Sequence, residues 1–137
     1  MLFKSIIALT VLIFATSYRK APKDKGLSEL KWKNRLLFIT TTGTLELKQL
    51  YQQKKEIQER HLIWFVKNQT GIQTNFTGRL SSKMTADIKG KLTTLGNKGV
   101  LLIGKDGEEK MRETNLNLSH IYQKIDAMPM RQKEMRD

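Results

Sequence analysis

The sequence predicts a mixed α/β domain in which helices cover both faces of a single sheet. Three short apolar runs, at 35–40, 62–66 and 100–103, are nearly continuous, as in strands that are buried on both sides. Segments between and after these runs carry apolar residues at intervals of three and four, which is typical of amphipathic helices. The alternation of the two patterns predicts an α/β architecture.

Size and composition limit the protein to one small, basic domain. The chain has 137 residues, 39% of them apolar, and 25 Lys and Arg against 13 Asp and Glu give a net charge of +12. Apolar residues grouped in blocks can bury a modest core, which disordered and collagen-like chains cannot. The sequence contains no cysteine, which excludes a thiol nucleophile, a disulfide framework and a thiolate metal centre. We expect no cofactor.

The first 17 residues have the form of a secretory signal peptide. Lys4 precedes the apolar run Ser5–Phe14, and the small residues Ala15–Ser17 follow it. The run is about a dozen residues, shorter than the roughly 20 of a membrane-spanning helix. We expect cleavage and export to the periplasm or the medium, and no membrane span thereafter. The alternative is an uncleaved anchor, because basic residues at 19–25 directly follow the run and slow translocation.

The rest of the chain divides into a tether, a domain and a tail. Residues 18–26 contain Pro22, Gly26 and four basic residues without apolar periodicity, which predicts a basic tether. The domain is predicted at 27–134, followed by a short tail at 135–137. Loss of Lys4 with the signal peptide leaves 24 basic against 13 acidic residues, a net charge of +11.

A strand, a helix and a second strand open the predicted domain. The first strand covers 35–40, and the turn 41–44 ends in a residue suited to cap a helix. Apolar residues then fall at helical spacing: Leu47, Leu50, Tyr51 and Ile57. Glu56 and Arg60 are placed to pair one turn apart on the solvent side of this helix. The second strand is 62–66.

The second half of the domain begins with a polar segment, 68–79, which is predicted as a loop. A helix weakened by Gly90 follows, with apolar residues at Met84, Ile88, Leu92 and Leu95. The third buried strand begins at Gly99. Asp106 and Gly107 form the pair favoured in a two-residue hairpin turn, which leads into a fourth strand at 108–113.

A last amphipathic helix is predicted before Pro129, which is expected to end it. Its apolar positions are Leu118, Ile121, Tyr122 and Ile125. The complete order is strand, helix, strand, helix, strand, strand, helix. This is the order of a thioredoxin-like fold, a βαβ half followed by a ββα half around one mixed sheet.

Four blocks of the sequence carry a more specific resemblance. They are Trp32–Leu37, Glu59–Leu62, Leu101–Gly107 and Ile125–Gln132. These blocks resemble the family known as domain of unknown function 4174, which is related to the peroxiredoxin-like P-DUDES domains of animal extracellular proteins. The resemblance covers Leu27 to about Glu134. It implies a thioredoxin-like, usually exported domain.

Two departures from redox proteins of this fold bear on function. Their reactive cysteine follows the first strand, where a helix N-terminus stabilises the thiolate, and here Thr40–Gly43 stands at that place. Their proline before the third strand is also absent, because Asn97–Gly99 stands there. Threonine cannot replace a thiolate without a strong base. We therefore expect the fold without the redox chemistry.

The candidate recognition patch is the charged group around which the resemblance is densest. It consists of Arg35, Lys105, Asp106, Arg131 and Lys133. The alternative is that the backbone requirements of a hairpin tip and a helix end account for these positions.

Other motifs in the sequence are weaker evidence of function. Residues 99–105 fit the spacing of a phosphate-binding loop, but Asp106 follows where Ser or Thr should bind magnesium. His61 and His120 would form a metal pair or a general base only if the fold brought them together, and neither has a partner at ligand spacing. The sequence lacks the Gly-x-Ser-x-Gly elbow of a hydrolase. We expect no metal site, and we expect both tryptophans in the core or at its edge.

Three functions follow from these observations. The first is an exported, non-enzymatic binding or structural module on a redox-inactive scaffold. The second is an enzyme of unrecognised chemistry in the loop 40–44. The third, a nucleic-acid binder, has only the charge in its favour, and export argues against it. The expected partner is an anionic polymer of the envelope or the extracellular medium, such as an acidic polysaccharide or lipid headgroups, bound by the basic ends of the chain.

Overall fold

A computed structural model describes residues 24–137. The predicted signal peptide and residues 18–23 of the predicted tether lie outside the described part. A short 3-10 helix, Gly26–Leu30, is followed by a sheet of five strands and by five α-helices. The predicted mixed α/β architecture around one mixed sheet is confirmed.

The strands of the sheet lie in the order β3-β2-β1-β4-β5. They are β1 (Arg35–Thr40), β2 (Leu62–Asn68), β3 (Gly71–Thr74), β4 (Gly99–Ile103) and β5 (Glu109–Glu113). The helices are α1 (Leu45–Gln52), α2 (Lys54–Glu59), α3 (Ser82–Thr93), α4 (Leu118–Asp126) and α5 (Pro129–Arg136). β1 is parallel to β2, and the other neighbouring strands are antiparallel.

The two faces of the sheet support two separate cores. On one face, α1, α2 and α4 cover alternate strand residues, among them Leu37, Trp64 and Leu102. On the other face, α3 and the 3-10 helix cover the intervening residues, such as Phe38 and Phe65, whose rings stack at 5.2 Å. Burial on both faces explains why β1, β2 and β4 are nearly continuous apolar runs. No helix within the described residues is long and apolar enough to cross a membrane.

The prediction of a loop over the whole of 68–79 is wrong, because this segment contains strand β3. This strand pairs with Phe65–Asn68 at the edge of the sheet. Its four residues are partly or fully exposed. A short edge strand with one neighbour does not need the apolar alternation that reveals a buried strand.

The predicted helix between β1 and β2 is divided in two at Gln53, whose φ of −111° and ψ of 32° leave the helical region. Leu47, Leu50 and Ile57 are buried, as the spacing predicts. Tyr51 falls at the same helical spacing but is 61% exposed.

The two tryptophans differ in their environment. Trp64 is buried within β2, as predicted. Trp32 is 59% exposed, contrary to the prediction. Its backbone has a positive φ of 68° in the turn that leads into β1, and the ring stays in solvent beside Lys31.

The hairpin between β4 and β5 is present, but its turn differs from the predicted two-residue turn. Gly107 N–H donates to the Gly104 carbonyl, and Gly104 N–H donates to the Glu108 carbonyl. The central residues are therefore Lys105 and Asp106, and Gly107 follows at a φ of +83°. This is a three-residue loop whose last position favours glycine.

Pro129 does not end the last predicted helix. α4 ends at Asp126, and Pro129 begins α5, where its missing N–H costs no hydrogen bond. α5 continues to Arg136, across the start of the expected tail. Ile125 is fully buried, and Met128 packs against the same core.

Candidate functional site

Four buried cations lie at one end of the sheet: Arg35, Arg60, Lys105 and Arg131. The topology explains the first three. β1 and β2 are parallel and begin at this end, and antiparallel β4 ends there, with Ile103 opposite Leu36. The residues at the start of β1 and β2 therefore lie close to those that follow β4. α5 supplies the fourth cation.

Glu134 of α5 is the common partner of three of these cations. Its carboxylate accepts hydrogen bonds from Arg35 Nη1 and Nη2 at 3.1 and 3.2 Å, and from Lys105 Nζ. Arg131 Nη1 lies 3.9 Å from the same carboxylate. Burial opposes ionisation, but the bonds from Lys105 and Arg35 outweigh it and lower the pKa of Glu134.

Asp126 at the end of α4 joins the fourth cation to this group. Arg60 Nε and Nη2 donate to its two oxygens at 3.1 and 2.9 Å, and Arg131 Nε donates to it at 3.1 Å. Although burial acts in the opposite direction, these bonds lower the pKa of Asp126. We call the four cations with Asp126 and Glu134 the ion-pair network.

Arg60 makes the predicted pair with Glu56, at 2.8 Å. Its predicted place on the solvent side of the helix is wrong, because only 8% of Arg60 is exposed. The guanidinium lies 4.3 Å from the centre of the Tyr122 ring. Burial raises the pKa of this tyrosine to about 12.

His61 lies beside the network. Lys105 Nζ and His61 Nδ1 are 2.7 Å apart. Burial and then the charge of Lys105 lower the pKa of His61, so the imidazole is neutral at pH 7. A neutral imidazole whose Nδ1 accepts from an ammonium group carries its proton on Nε2. His61 therefore offers a fixed hydrogen-bond donor.

The predicted recognition patch is only partly one cluster. Arg35, Lys105 and Arg131 are together, but they are buried in the ion-pair network. Asp106 accepts a hydrogen bond from Lys110 Nζ at 2.7 Å. This bond is the main reason why the pKa of Asp106 is lowered. Lys133 is exposed and makes no ion pair among the described residues. The network therefore gives three of the five residues a structural task, while recognition stays a prediction.

The two histidines are not brought together. His120, in the first turn of α4, lies 2.9 Å from Glu113 of β5. Within residues 24–137, no group of three His, Cys, Asp or Glu side chains is arranged to hold a metal ion.

The loop after β1 lies at the opposite end of the sheet from the network. Thr41 Oγ1 accepts a hydrogen bond from Gly43 N–H at 3.2 Å, and the buried Thr40 Oγ1 has no partner. In the described part of the chain, no carboxylate or imidazole hydrogen-bonds to these hydroxyls. The enzymatic alternative at this loop stays a prediction without an activating base.

A groove of about 610 Å³ lies beside the first half of β2. β3 pairs only with the second half of that strand, so the edge at Leu62–Trp64 has no strand beside it. Asn75 replaces the missing neighbour. Its amide accepts from Trp64 N–H at 2.8 Å and donates to the Leu62 carbonyl at 3.1 Å.

The groove combines aromatic and polar walls. Tyr51, Trp64 and Phe76 provide aromatic surface, and the rings of Tyr51 and Trp64 meet edge to face at 5.5 Å. Polar side chains that line it include Asn34, Lys54, Gln58, His61 and Thr77. Volumes of about 300 to 1,000 Å³ with apolar walls and a few polar groups are typical of ligand sites.

The sequence did not reveal this groove. Tyr51 falls at core spacing, and Trp64 lies in a buried strand. The groove depends on the short length of β3 and on the break between α1 and α2, for which the sequence has no clear pattern. Glu134 was also missed, although it stands three residues after Arg131, a spacing that permits contact on a helix.

A comparison with protein families matches residues 26–134 to the family described as Domain of unknown function (DUF4174). No curated protein and no solved structure matches the chain.

Proposed function

The chain belongs to the DUF4174 family, and from this premise we propose that it is an exported, non-enzymatic binding module that holds an acidic oligosaccharide in the groove beside β2. The observation that carries the proposal is the groove itself, with its exposed tyrosine and its polar side chains.

We propose further that the scaffold is thioredoxin-like. The parallel pair β1 and β2, the antiparallel pair β4 and β5, and helices on both faces support this assignment. β3 is an additional edge strand. The chain has no cysteine for dithiol or peroxide chemistry. On this scaffold, the groove beside β2 supports binding as the function.

The aromatic wall favours a ligand with flat rings. Tyr51 is largely exposed and is held by its contact with the buried Trp64. A ring fixed in this way presents a large face at low entropic cost. A sugar ring can stack its C–H face on such a surface.

The polar groups favour a ligand rich in hydroxyls. The side chains of Gln58 and Thr77 are exposed and make no hydrogen bond within the described residues. His61 adds a donor, as argued above. Hydroxyl groups can both donate and accept, so they satisfy such a mixed set.

The charge of the groove favours an acidic ligand over a basic one. Lys54 lines the groove, and none of the described lining residues is an acid. The net charge of the chain, +12, attracts anions over a longer range. A uronic acid oligosaccharide combines the ring, the hydroxyls and the carboxylate.

Fluorescence titration tests this proposal. The chain has two tryptophans, so a Trp32→Phe protein reports only on Trp64 in the groove. We expect saturable changes with tetragalacturonate and weaker binding of neutral maltotetraose. Tyr51→Ala should weaken binding about tenfold, or about 1.4 kcal/mol. Leu45→Ala, an equally exposed position on α1 outside the groove, should change nothing.

The Lys54→Gln variant measures the electrostatic contribution to ligand binding. It should reduce the affinity for tetragalacturonate and leave that for maltotetraose unchanged. Equal affinity of Tyr51→Ala and the parent protein, or no saturable change with either sugar, would contradict the proposal. Export is tested separately, by N-terminal sequencing of the native protein, which should begin near Tyr18.

A further inference from the structure

A second, smaller cavity lies next to the ion-pair network and is lined by Arg35 and Lys105. It has a volume of about 80 Å³ and lies between the β4–β5 hairpin and the start of α5. One water molecule needs roughly 10–15 Å³ of such space, so the cavity has room for an ion with four oxygens. It shares no lining residue with the groove.

Three of the residues that line this cavity are cations. Arg35, Lys105 and Lys110 line it, and Asp106 is the one acid among its described lining residues. Asp106 is paired with Lys110. Glu134, which pairs with Arg35 and Lys105, does not line the cavity. The lining residues therefore include three cations and one acid.

Arg35, which lines the cavity, also has an unused donor. The residue is 1% exposed, and its Nε is buried without a hydrogen-bond partner in the described structure. A buried, charged donor without a partner is costly. Nη1 and Nη2 are already bonded to Glu134. A ligand oxygen would satisfy the remaining group.

The start of α5 supplies further donors. Met128, Pro129 and Met130 line the cavity, and the cap position, Met128, has no side-chain acceptor. The first backbone bond into this helix runs from Gln132 N–H to the Met128 carbonyl. The N–H groups of Met130 and Arg131 precede it and have no acceptor among the described residues. Free N–H groups at a helix start bind anions.

We propose that this cavity is a binding site for a small oxyanion of the phosphate or sulfate type. Three cations, among them Arg35 with its unpartnered Nε, and the uncapped start of α5 border a space of suitable size. The oxyanion can be a free ion or a phosphate group carried by a larger molecule. Either source uses the same contacts.

Backbone amide NMR of the whole chain provides the test. Titration with inorganic phosphate should shift the amide signals of Gly104, Met130 and Arg131 saturably, whereas sodium chloride at equal ionic strength should not. If glycerol 1-phosphate binds more tightly than inorganic phosphate, the ligand is a phosphate ester. If it binds more weakly, the ligand is the free ion. The same shifts with chloride, or no saturable shift at millimolar phosphate, would overturn the proposal.

Two pairs of variants separate binding from folding. Lys110→Gln should weaken phosphate binding about tenfold, while Lys89→Gln, which removes an exposed charge from α3, should not. Met130→Glu places a competing carboxylate at the cavity and should abolish binding in a folded protein. Met135→Glu makes the same change at the other end of α5 and should bind phosphate normally. Unaltered binding by both Lys110→Gln and Met130→Glu would exclude this site.

Discussion

Glu134 shows how one side chain can hold two elements of the fold together. It is the shared counter-charge of Arg35 at the start of β1 and Lys105 after β4. Both cations are buried, and an uncompensated buried charge is strongly destabilising. The contact therefore fixes α5 to the end of the sheet.

Glu134→Gln should lower the free energy of unfolding at pH 7 by about 3 kcal/mol, because it leaves two buried cations without their shared charge. The folded protein holds the pKa of Glu134 below its ordinary value. Its stabilisation is therefore complete above the unfolded pKa of about 4.3 and is lost as pH falls through the folded pKa.

Urea unfolding at pH values between 7 and 3 measures this effect. The parent protein should lose stability steeply in the acid range, and Glu134→Gln should lose less over the same range. Glu29→Gln, at an exposed position, should follow the parent curve. Parallel curves for the parent and Glu134→Gln would contradict the assigned role.

Ile125 tests the core at the scale of one side chain. It is fully buried on α4 against the sheet. Ile125→Ala should cost about 2–5 kcal/mol, through lost apolar burial and the cavity left behind. Leu45→Ala, at an exposed position, should stay within about 0.5 kcal/mol in the same denaturation experiment. A similar small loss for Ile125→Ala would refute this packing.

At the scale of elements, the first half of β2 relies on a side chain in place of a neighbouring strand. The Asn75 amide forms both hydrogen bonds that a strand would provide at Leu62 and Trp64. Both backbone groups lie in the partly buried edge that borders the groove. The shape of the groove therefore depends on Asn75.

Asn75→Ala should lower the free energy of unfolding by about 1–3 kcal/mol, because two backbone groups lose their partners. Amide hydrogen exchange at Trp64 should become faster, since its N–H loses its acceptor. Asn97→Ala, at an exposed turn position without side-chain hydrogen bonds, is the control. Unchanged exchange at Trp64 would show that another group satisfies this edge.

At the scale of the whole molecule, the surplus of positive charge predicts weak, salt-sensitive attraction to anionic polymers. Without residues 1–17, 24 basic residues face 13 acidic ones. Arg19, Lys20 and Lys23 belong to the predicted basic tether. The C-terminal end is not trimmed in the test, because Glu134 belongs to the ion-pair network.

Chromatography on an acidic polysaccharide column compares residues 18–137 with 24–137. Both should be retained at about 0.05 M salt and released by about 1 M, where screening shortens to roughly 3 Å. The shorter chain should elute at lower salt, because it lacks three cations. Equal elution would remove the tether from the mechanism.

The sequence alone determined the elements that repeat a strong local pattern. β1, β2 and β4 are continuous apolar runs because both faces of the sheet are covered, and α3 and α4 follow from apolar spacing. The family resemblance extended this to the whole domain. The charged residues of the four similar blocks were also visible, as was the absence of cysteine.

Only the tertiary structure decided what those charges do and where a ligand could fit. Arg60 shows no sign of burial in the sequence, because its partners Asp126 and Tyr122 lie more than 60 positions away. Exposed Tyr51 has core spacing, and β3 lacks a strand pattern, so the groove could not be predicted. The local spacing of apolar residues indicates which face of a helix or strand is covered. It does not show which distant side chains meet at the ends of the strands, and these contacts form the network and border the smaller cavity.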